Sequence, residues 1–185
     1  TAENPRHRCT LADVFRRARK LANALTRAGV QPGDRIATLA WNDYRHLELY
    51  YAVSCIGAIL HTLNPRLYPE QLKYIINHAG DRMLFADSTV MPLVEKLKPA
   101  LTTIERIIVL SNDSYEPFIA DESESFEWPE LDERTASSLC YTSGTTGNPK
   151  GVLFDHRSTV LHSYGSALVD TMSFGRADTV LAVVP

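Results

Sequence analysis

Apolar residues recur at helical spacing in the first patterned stretch of the chain, residues 10–29. Thr10 and Asp13 form a capping-box pattern at its start, with Asp in place of the more usual Glu, and Gly29 suits a C-terminal stop. The pattern therefore predicts an amphipathic helix with one apolar face directed at a core.

Short apolar runs alternate with helical patterns over the next eighty residues. The predicted strands are 36–40, 58–63, 83–86 and 106–110, and the predicted helices between them are 44–57, 69–79 and 88–97. Because connections of helical length are what parallel neighbours require, the sequence predicts an α/β fold, with a mainly parallel sheet flanked by helices.

An acidic stretch interrupts this alternation. Residues 112–133 carry nine acidic side chains and no basic one, with Pro117, Pro129 and several serines. The composition predicts a solvated surface linker between subdomains. Beyond it the pattern predicts strands at 138–142, 152–154 and 179–184 and a helix over 157–172. Since an apolar run stands directly before the last residue, we expect this chain to be an N-terminal piece of a longer protein.

Charge and cysteine content exclude several classes of protein. Nineteen basic residues against 22 acidic ones give a net charge of −3, which argues against broad nucleic-acid binding. No apolar run reaches the length of a membrane span. Cys9, Cys55 and Cys140 are odd in number, far apart and without metal-type spacing, which predicts a reduced, cytoplasmic setting.

The string YTSGTTGNPKGV, residues 141–152, holds the clearest candidate chemistry. Gly144 and Gly147 allow a tight turn whose exposed N–H groups form an anion nest. Lys150 adds a positive charge within reach of the loop. Hydroxyl groups that can bind a phosphate oxygen or Mg²⁺ come from Thr142, Ser143, Thr145 and Thr146. The loop is therefore predicted to bind a polyphosphate.

Two alternative interpretations fit this loop less well, namely a Walker A motif and a plain surface turn. The Walker A pattern needs four residues between its glycines and a hydroxyl residue after the lysine, whereas here two threonines separate the glycines and Gly151 follows Lys150. A plain surface turn rich in Ser, Thr and Gly is the other alternative, and the completeness of the string argues against it.

The string resembles the signature of the adenylate-forming enzymes: acyl-CoA synthetases, firefly-type luciferases and peptide-synthetase adenylation domains. Residues 11–42 resemble that family's N-terminal helix, turn and strand, and LHTLNPRL, residues 60–67, followed by residues 70–72, is similar to its Asn-Pro segment. These details look most like bacterial medium- and long-chain fatty acyl-CoA synthetases. Residues 155–158 resemble the segment after the loop, where Ser or Thr is more common than Asp155.

The resemblance implies part of the large N-terminal domain of an adenylate-forming enzyme. The reaction it implies is adenylation of a carboxylic acid by ATP with Mg²⁺, followed by transfer of the acyl group to coenzyme A. It places the β- and γ-phosphates of ATP on Thr142, Ser143, Gly144, Thr145, Thr146, Gly147 and Lys150, with Mg²⁺ also on Thr142. The implied division is a first α/β subdomain portion (1–111), an acidic linker (112–134) and the start of an ATP-binding subdomain (135–185).

The resemblance also implies what this chain should lack. The adenine-binding segment, the ribose-binding Asp and the catalytic Lys of the family would follow Pro185, so no catalytic residue is expected here and the piece alone should not turn over. A homodimer is expected by analogy. A luciferase-like or peptide-synthetase adenylation domain, or an inactive nucleotide-binding fragment, remain the alternatives to a fatty acid–CoA ligase.

Histidines and aromatic residues outside the loop are predicted to pack rather than to react. The spacings of His46, His61, His78, His156 and His162 match no metal motif, although the last two fit one helix and His61 lies between a strand and a loop. Aromatic residues predicted to serve the core or a subunit contact are Trp41, Tyr44, Tyr50 and Tyr51.

Overall fold

The computed structural model describes residue 3 and residues 6–142 and 147–181. Within these residues six strands form one sheet in the order β4-β3-β1-β2-β5-β6. The strands are β1 Arg35–Leu39, β2 Ile59–Thr62, β3 Asp81–Asp87, β4 Arg106–Leu110, β5 Ala136–Thr142 and β6 Lys150–Asp155. All neighbouring pairs are parallel except β5 and β6, which run antiparallel. The predicted α/β fold with a mainly parallel sheet is confirmed.

Helices cover both faces of this sheet. They are α1 Leu11–Arg27, α2 Tyr44–Cys55, α3 Pro69–Ala79, α4 Met91–Leu97, α5 Tyr115–Ile119 and α6 His156–Ala167. Helices α1, α2 and α5 share one core with Ile36 and Leu60, while α3 and α4 share another with Ala37 and Leu84. Since successive strand residues point to opposite faces, this division places the first core on one side of the sheet and the second on the other.

Helix α1 begins where the capping pattern predicts. The Thr10 hydroxyl accepts from the Asp13 N–H at 3.1 Å, and the Asp13 carboxylate accepts from the Thr10 N–H at 2.9 Å. These reciprocal bonds satisfy two backbone donors that the first turn would otherwise leave unpaired. The buried face of the helix, which includes Leu21 and Leu25, packs against α2.

Replacing Thr10 by alanine removes this cap. We expect the free energy of unfolding to fall by about 1 kcal/mol, the usual cost of losing an N-cap hydroxyl. Urea denaturation followed by circular dichroism measures the change. Thr10→Ser keeps the oxygen and serves as the control, so equal losses in both variants would contradict a capping role.

The acidic segment, predicted to be a solvated linker, does not lie wholly in solvent. It contains α5, in which Tyr115 is fully buried and Phe118 and Ile119 are buried with it. These three residues have the i, i+3, i+4 spacing of an apolar helix face, and the surrounding acidic residues obscured that pattern. Moreover, β5 pairs directly with β2, so the residues before and after this segment share one sheet. The division into subdomains stays a prediction.

The last part of the chain also differs from its prediction. Helix α6 ends at Ala167 rather than at 172, and the Thr171 hydroxyl donates to the carbonyl group of Gly165 in its last turn. Hydrogen bonds of this kind satisfy carbonyls that a helix end leaves unpaired, so the helix can stop here. Residues 179–181 form no strand, and the rest of the predicted strand, 182–184, lies outside the described residues.

Candidate functional site

The two ends of the glycine-rich loop meet at the last ladder pair between β5 and β6. Thr142 is paired with Lys150, and Tyr141 is paired with Gly151. Residues directly opposite each other on antiparallel strands point to the same face of the sheet. The side chains of Thr142 and Lys150 therefore project from the same face of the sheet, at the point where the loop begins and ends. Both residues are exposed.

Part of the predicted phosphate site lies outside the described residues, namely Ser143, Gly144, Thr145 and Thr146. Gly147 is described and has a φ of +104°, a backbone conformation that side-chain-bearing residues rarely adopt. The turn at the exit of the loop thus requires glycine at this position. The phosphate-binding roles of all seven residues stay predictions.

A cleft of about 470 Å³ opens beside the base of the loop. Its walls include Asn42 after β1, Thr62 at the end of β2, Thr142 at the end of β5, and His46 and Tyr50 from α2. These positions are the carboxyl ends of three parallel strands, which is where open α/β sheets bind their ligands. The loop and the cleft together form the candidate site.

His46 contributes an uncharged side chain to the wall of this cleft. Its Nε2 lies 3.0 Å from the Thr38 hydroxyl, and the residue is 7% exposed. Burial lowers the pKa of His46, so the ring is neutral at pH 7. Its Nε2 is bonded to Thr38 and its Nδ1 is buried, so the ring forms part of the cleft wall but cannot neutralise a phosphate.

His61 forms a buried pair with Asp81. Its Nδ1 lies 2.9 Å and 2.8 Å from the two carboxylate oxygens, and neither side chain is exposed at all. Burial raises the pKa of Asp81, and the hydrogen bond from His61 opposes that rise. The pair has the composition of a catalytic dyad, but a substrate cannot reach it, so its role is structural.

The remaining histidines of this group lie at or near the surface: His78 and His162 are exposed, and His156 is half-buried. His156 and His162 both belong to α6, as their spacing predicted, and His78 contacts the hydroxyl of Tyr141. No group of three or more His, Cys, Asp or Glu side chains within the described ranges is arranged to hold a metal ion. Tyr50 and Tyr51 are 44% and 37% exposed, so neither is a core residue in this structure.

Asp155, the residue that departs from the resemblance, caps α6. Its carboxylate accepts from the Ser158 N–H at 2.7 Å, and the Ser158 hydroxyl accepts from the Asp155 N–H at 3.1 Å. Asp, Ser and Thr all accept this bond at an N-cap, which explains why one can replace another. Sequence reasoning missed this cap, although Ser three residues after Asp was a visible signal.

Comparison with known proteins agrees with this architecture. A sequence profile of the family described as "AMP-binding enzyme" matches residues 2–185. The chain belongs to that family of adenylate-forming enzymes.

Two curated relatives and one solved structure show how much of such a protein is present. The 3-methylmercaptopropionyl-CoA ligase of Ruegeria pomeroyi is 55% identical, and the medium-chain-fatty-acid–CoA ligase of Ectopseudomonas oleovorans is 48% identical. Each match covers 94% of this chain and 34% of the relative, so the chain spans about a third of their length. A crystal structure of the anthranilate CoA ligase AuaEII in complex with anthranoyl-AMP superimposes with a TM-score of 0.82 at 27% identity, covering 86% of this chain and 31% of that one.

Whether a helix can span a membrane depends on its length and its apolar character. None of the described helices combines the length and the apolar character needed to cross a bilayer.

Proposed function

We propose that the full-length protein is an ATP-dependent fatty acid–CoA ligase, which adenylates a carboxylic acid and then transfers the acyl group to coenzyme A. The observation that carries the proposal is the Thr142–Lys150 pair, which sets a hydroxyl and an ammonium group on one face of the sheet beside the cleft. Membership of the adenylate-forming family supplies the nucleotide chemistry that such a pair suits.

The proposed roles of the loop residues follow from the charges and the hydrogen-bonding groups that they carry. Lys150 offsets the negative charge of the β- and γ-phosphates and so helps pyrophosphate to leave when the carboxylate attacks the α-phosphate. Gly147 and the loop residues Ser143, Gly144, Thr145 and Thr146 supply N–H and hydroxyl donors to the same oxygens. Thr142 offers a neutral oxygen, which suits Mg²⁺ as a hard cation, and the ion would neutralise charge between the phosphates.

The substrate acid is proposed from two relatives whose names differ. The Ectopseudomonas oleovorans protein is a ligase for medium-chain fatty acids, whereas the Ruegeria pomeroyi protein, at the higher identity of 55%, is named for 3-methylmercaptopropionyl-CoA. A short thioether acid is therefore the second candidate substrate. Since both relatives are CoA ligases, a luciferase-like or peptide-synthetase output is less well supported than thioester formation.

An acid panel tests the proposal. The full-length protein, given ATP, Mg²⁺ and coenzyme A, should release pyrophosphate and form acyl-CoA with decanoate, and leaving out coenzyme A should stop acyl-CoA formation. Turnover with 3-methylmercaptopropionate but not with decanoate would replace the fatty acid by the second candidate. Release of pyrophosphate with no acid, or with amino acids only, would overturn the proposal, as would full activity of residues 1–185 alone.

The free cysteines and the exposed tyrosines of α2 bear on the location and the oligomeric state of the protein. Cys9, Cys55 and Cys140 are free thiols, which supports a reduced, cytoplasmic location. A homodimer is proposed by analogy, and the exposed rings of Tyr50 and Tyr51 on α2 are consistent with a contact there. Sedimentation velocity of the full-length protein would distinguish a dimer from a monomer.

A further inference from the structure

The partly buried ring of Tyr141 contacts groups from three other elements at the base of the loop. Its hydroxyl lies 2.7 Å from Nδ1 of His78 on α3. The His61 ring of β2 lies 5.3 Å away, centroid to centroid, and the His78 ring meets it edge-on at 5.9 Å. On the fourth side, β6 passes the ring at Gly151.

Gly151 makes room for this ring. A Cβ atom at that position would lie 3.1 Å from Cζ of Tyr141 and 3.3 Å from its Cε2, which is closer than ordinary carbon contacts. The glycine that follows Lys150 therefore makes room for the ring, because a larger residue would shift the ring from its place across the ladder.

The partners of Tyr141 are themselves fixed. Tyr74, one turn earlier on α3, stacks on the His78 ring with centroids 5.1 Å apart. His61 is held by the buried carboxylate of Asp81. Burial raises the pKa of Tyr141, with the negative charge of Asp81 adding to the rise, so the hydroxyl keeps its proton and remains a hydrogen-bond donor at neutral pH.

The contacts of Tyr141 lie next to the end of the β5–β6 ladder, where they can stabilise the strand ends. Thr142 and Lys150 form the last pair before the loop, and a strand end at a loop frays unless side chains hold it. Tyr141 and Gly151 lie on the face opposite to that pair, one residue earlier. Anchoring Tyr141 on that face therefore limits how far the backbone of Thr142 and Lys150, which carries their side chains, can move.

We propose that Tyr141 is a positioning residue for the adenylation reaction, which holds Thr142 and Lys150 in register for the phosphates of ATP through its hydrogen bond to His78. The inference rests on the proposed function, since it assigns a support to the same phosphate site. The effect on ATP binding should be modest but selective, because only one hydrogen bond between side chains is involved.

Tyr141→Phe in the full-length protein removes the hydroxyl and keeps the ring. We expect KM for ATP in the acid-dependent ATP–pyrophosphate exchange to rise about five-fold, the factor that one such hydrogen bond supplies. KM for the carboxylic acid should stay unchanged, and the melting temperature should fall by no more than about 2–4 °C, the shift that the loss of one hydrogen bond produces. Tyr68→Phe is the matched control, since Tyr68 precedes the same helix and is 77% exposed.

Variants of His78 separate positioning from general destabilisation. His78→Ala should reproduce the rise in KM for ATP, and His78→Asn should reverse most of it, because the Asn oxygen can occupy the place of Nδ1. The double variant Tyr141→Phe/His78→Ala should be no worse than either single variant, since both remove the same bond. Additive losses, or a parallel fall in melting temperature and in every kinetic constant, would overturn the positioning role.

The outcomes distinguish this inference from the proposed function. Normal exchange by the unaltered protein with an unchanged KM for ATP in Tyr141→Phe would overturn the inference alone. If the unaltered protein shows no exchange with any acid, the proposed function fails, and calorimetric titration with MgATP decides the inference. A five-fold weaker Kd in Tyr141→Phe would then support it, and equal affinity or no binding would overturn it.

Discussion

Replacing Lys150 by alanine in the full-length protein is expected to lower kcat/KM for ATP by about 30- to 150-fold in the adenylation half-reaction. This range corresponds to about 2–3 kcal/mol, the usual loss when one charge-stabilising contact to a developing anion is removed. The side chain leaves the ladder at the mouth of the loop, opposite Thr142, and no other lysine has that position. Its loss therefore leaves phosphate charge uncompensated as pyrophosphate departs.

Initial rates of ATP–pyrophosphate exchange at varied ATP concentration measure this effect. Lys96→Ala, at an exposed position on α4, is the control for loss of a lysine and should leave the rates unchanged. Lys150→Arg keeps the charge but spreads it over a planar fork, so it should retain part of the activity. An unchanged kcat/KM for ATP in Lys150→Ala would remove the phosphate role from this residue.

Much of the fold can be predicted from patterns formed by residues that are close together in the sequence. The apolar runs of β1 and β4 and the capping box of α1 each depend on residues a few positions apart, so periodicity and turn chemistry suffice to locate them. The phosphate loop is likewise continuous in sequence, and its glycine spacing is enough to exclude Walker A.

Contacts between distant residues could not be predicted in the same way. His78 and Tyr141 are 63 positions apart, and His61 and Asp81 are 20 apart, so their pairing depends on how α3 and the strands pack. Even the α5 helix, whose apolar spacing is local, was obscured by its acidic neighbours. The support of the candidate site thus emerges only when the sheet is assembled.

A buried network of charged side chains likewise depends on contacts between residues that are far apart in the sequence. Glu48 lies in the middle of α2 and has no exposed surface, although charged residues rarely sit fully inside a protein. It accepts from Nε of Arg17 at 2.6 Å and from the hydroxyl of Tyr115 at 2.6 Å. Arg17 also donates to both oxygens of Glu116, at 2.9 Å and 3.0 Å. The network joins α1, α2 and α5, and so ties the acidic segment to the core.

The protonation of this network follows from its burial. Burial raises the pKa of Glu48, whereas the hydrogen bonds and positive charge of Arg17 and the hydroxyl of Tyr115 act against the rise. At Glu116 burial again acts upward, but Arg17 and Arg45 together outweigh it and lower the pKa. Each carboxylate thus depends on partners from another helix to offset the effect of burial on its charged form.

Glu48→Ala should be the most destabilising of the changes considered, lowering the free energy of unfolding by about 2–3 kcal/mol, since Arg17 keeps its pair with Glu116. The variant removes the buried acceptor for Arg17 and leaves the hydroxyl of Tyr115 without a partner in a fully buried place. Urea denaturation of the full-length protein measures the loss, with Glu95→Ala on the exposed side of α4 as the control. Tyr115→Phe keeps the ion pair and removes one hydrogen bond, so its loss should be only about 1–2 kcal/mol. If Glu48→Ala were no more damaging than Glu95→Ala, the network would contribute nothing to holding α5 against α1 and α2.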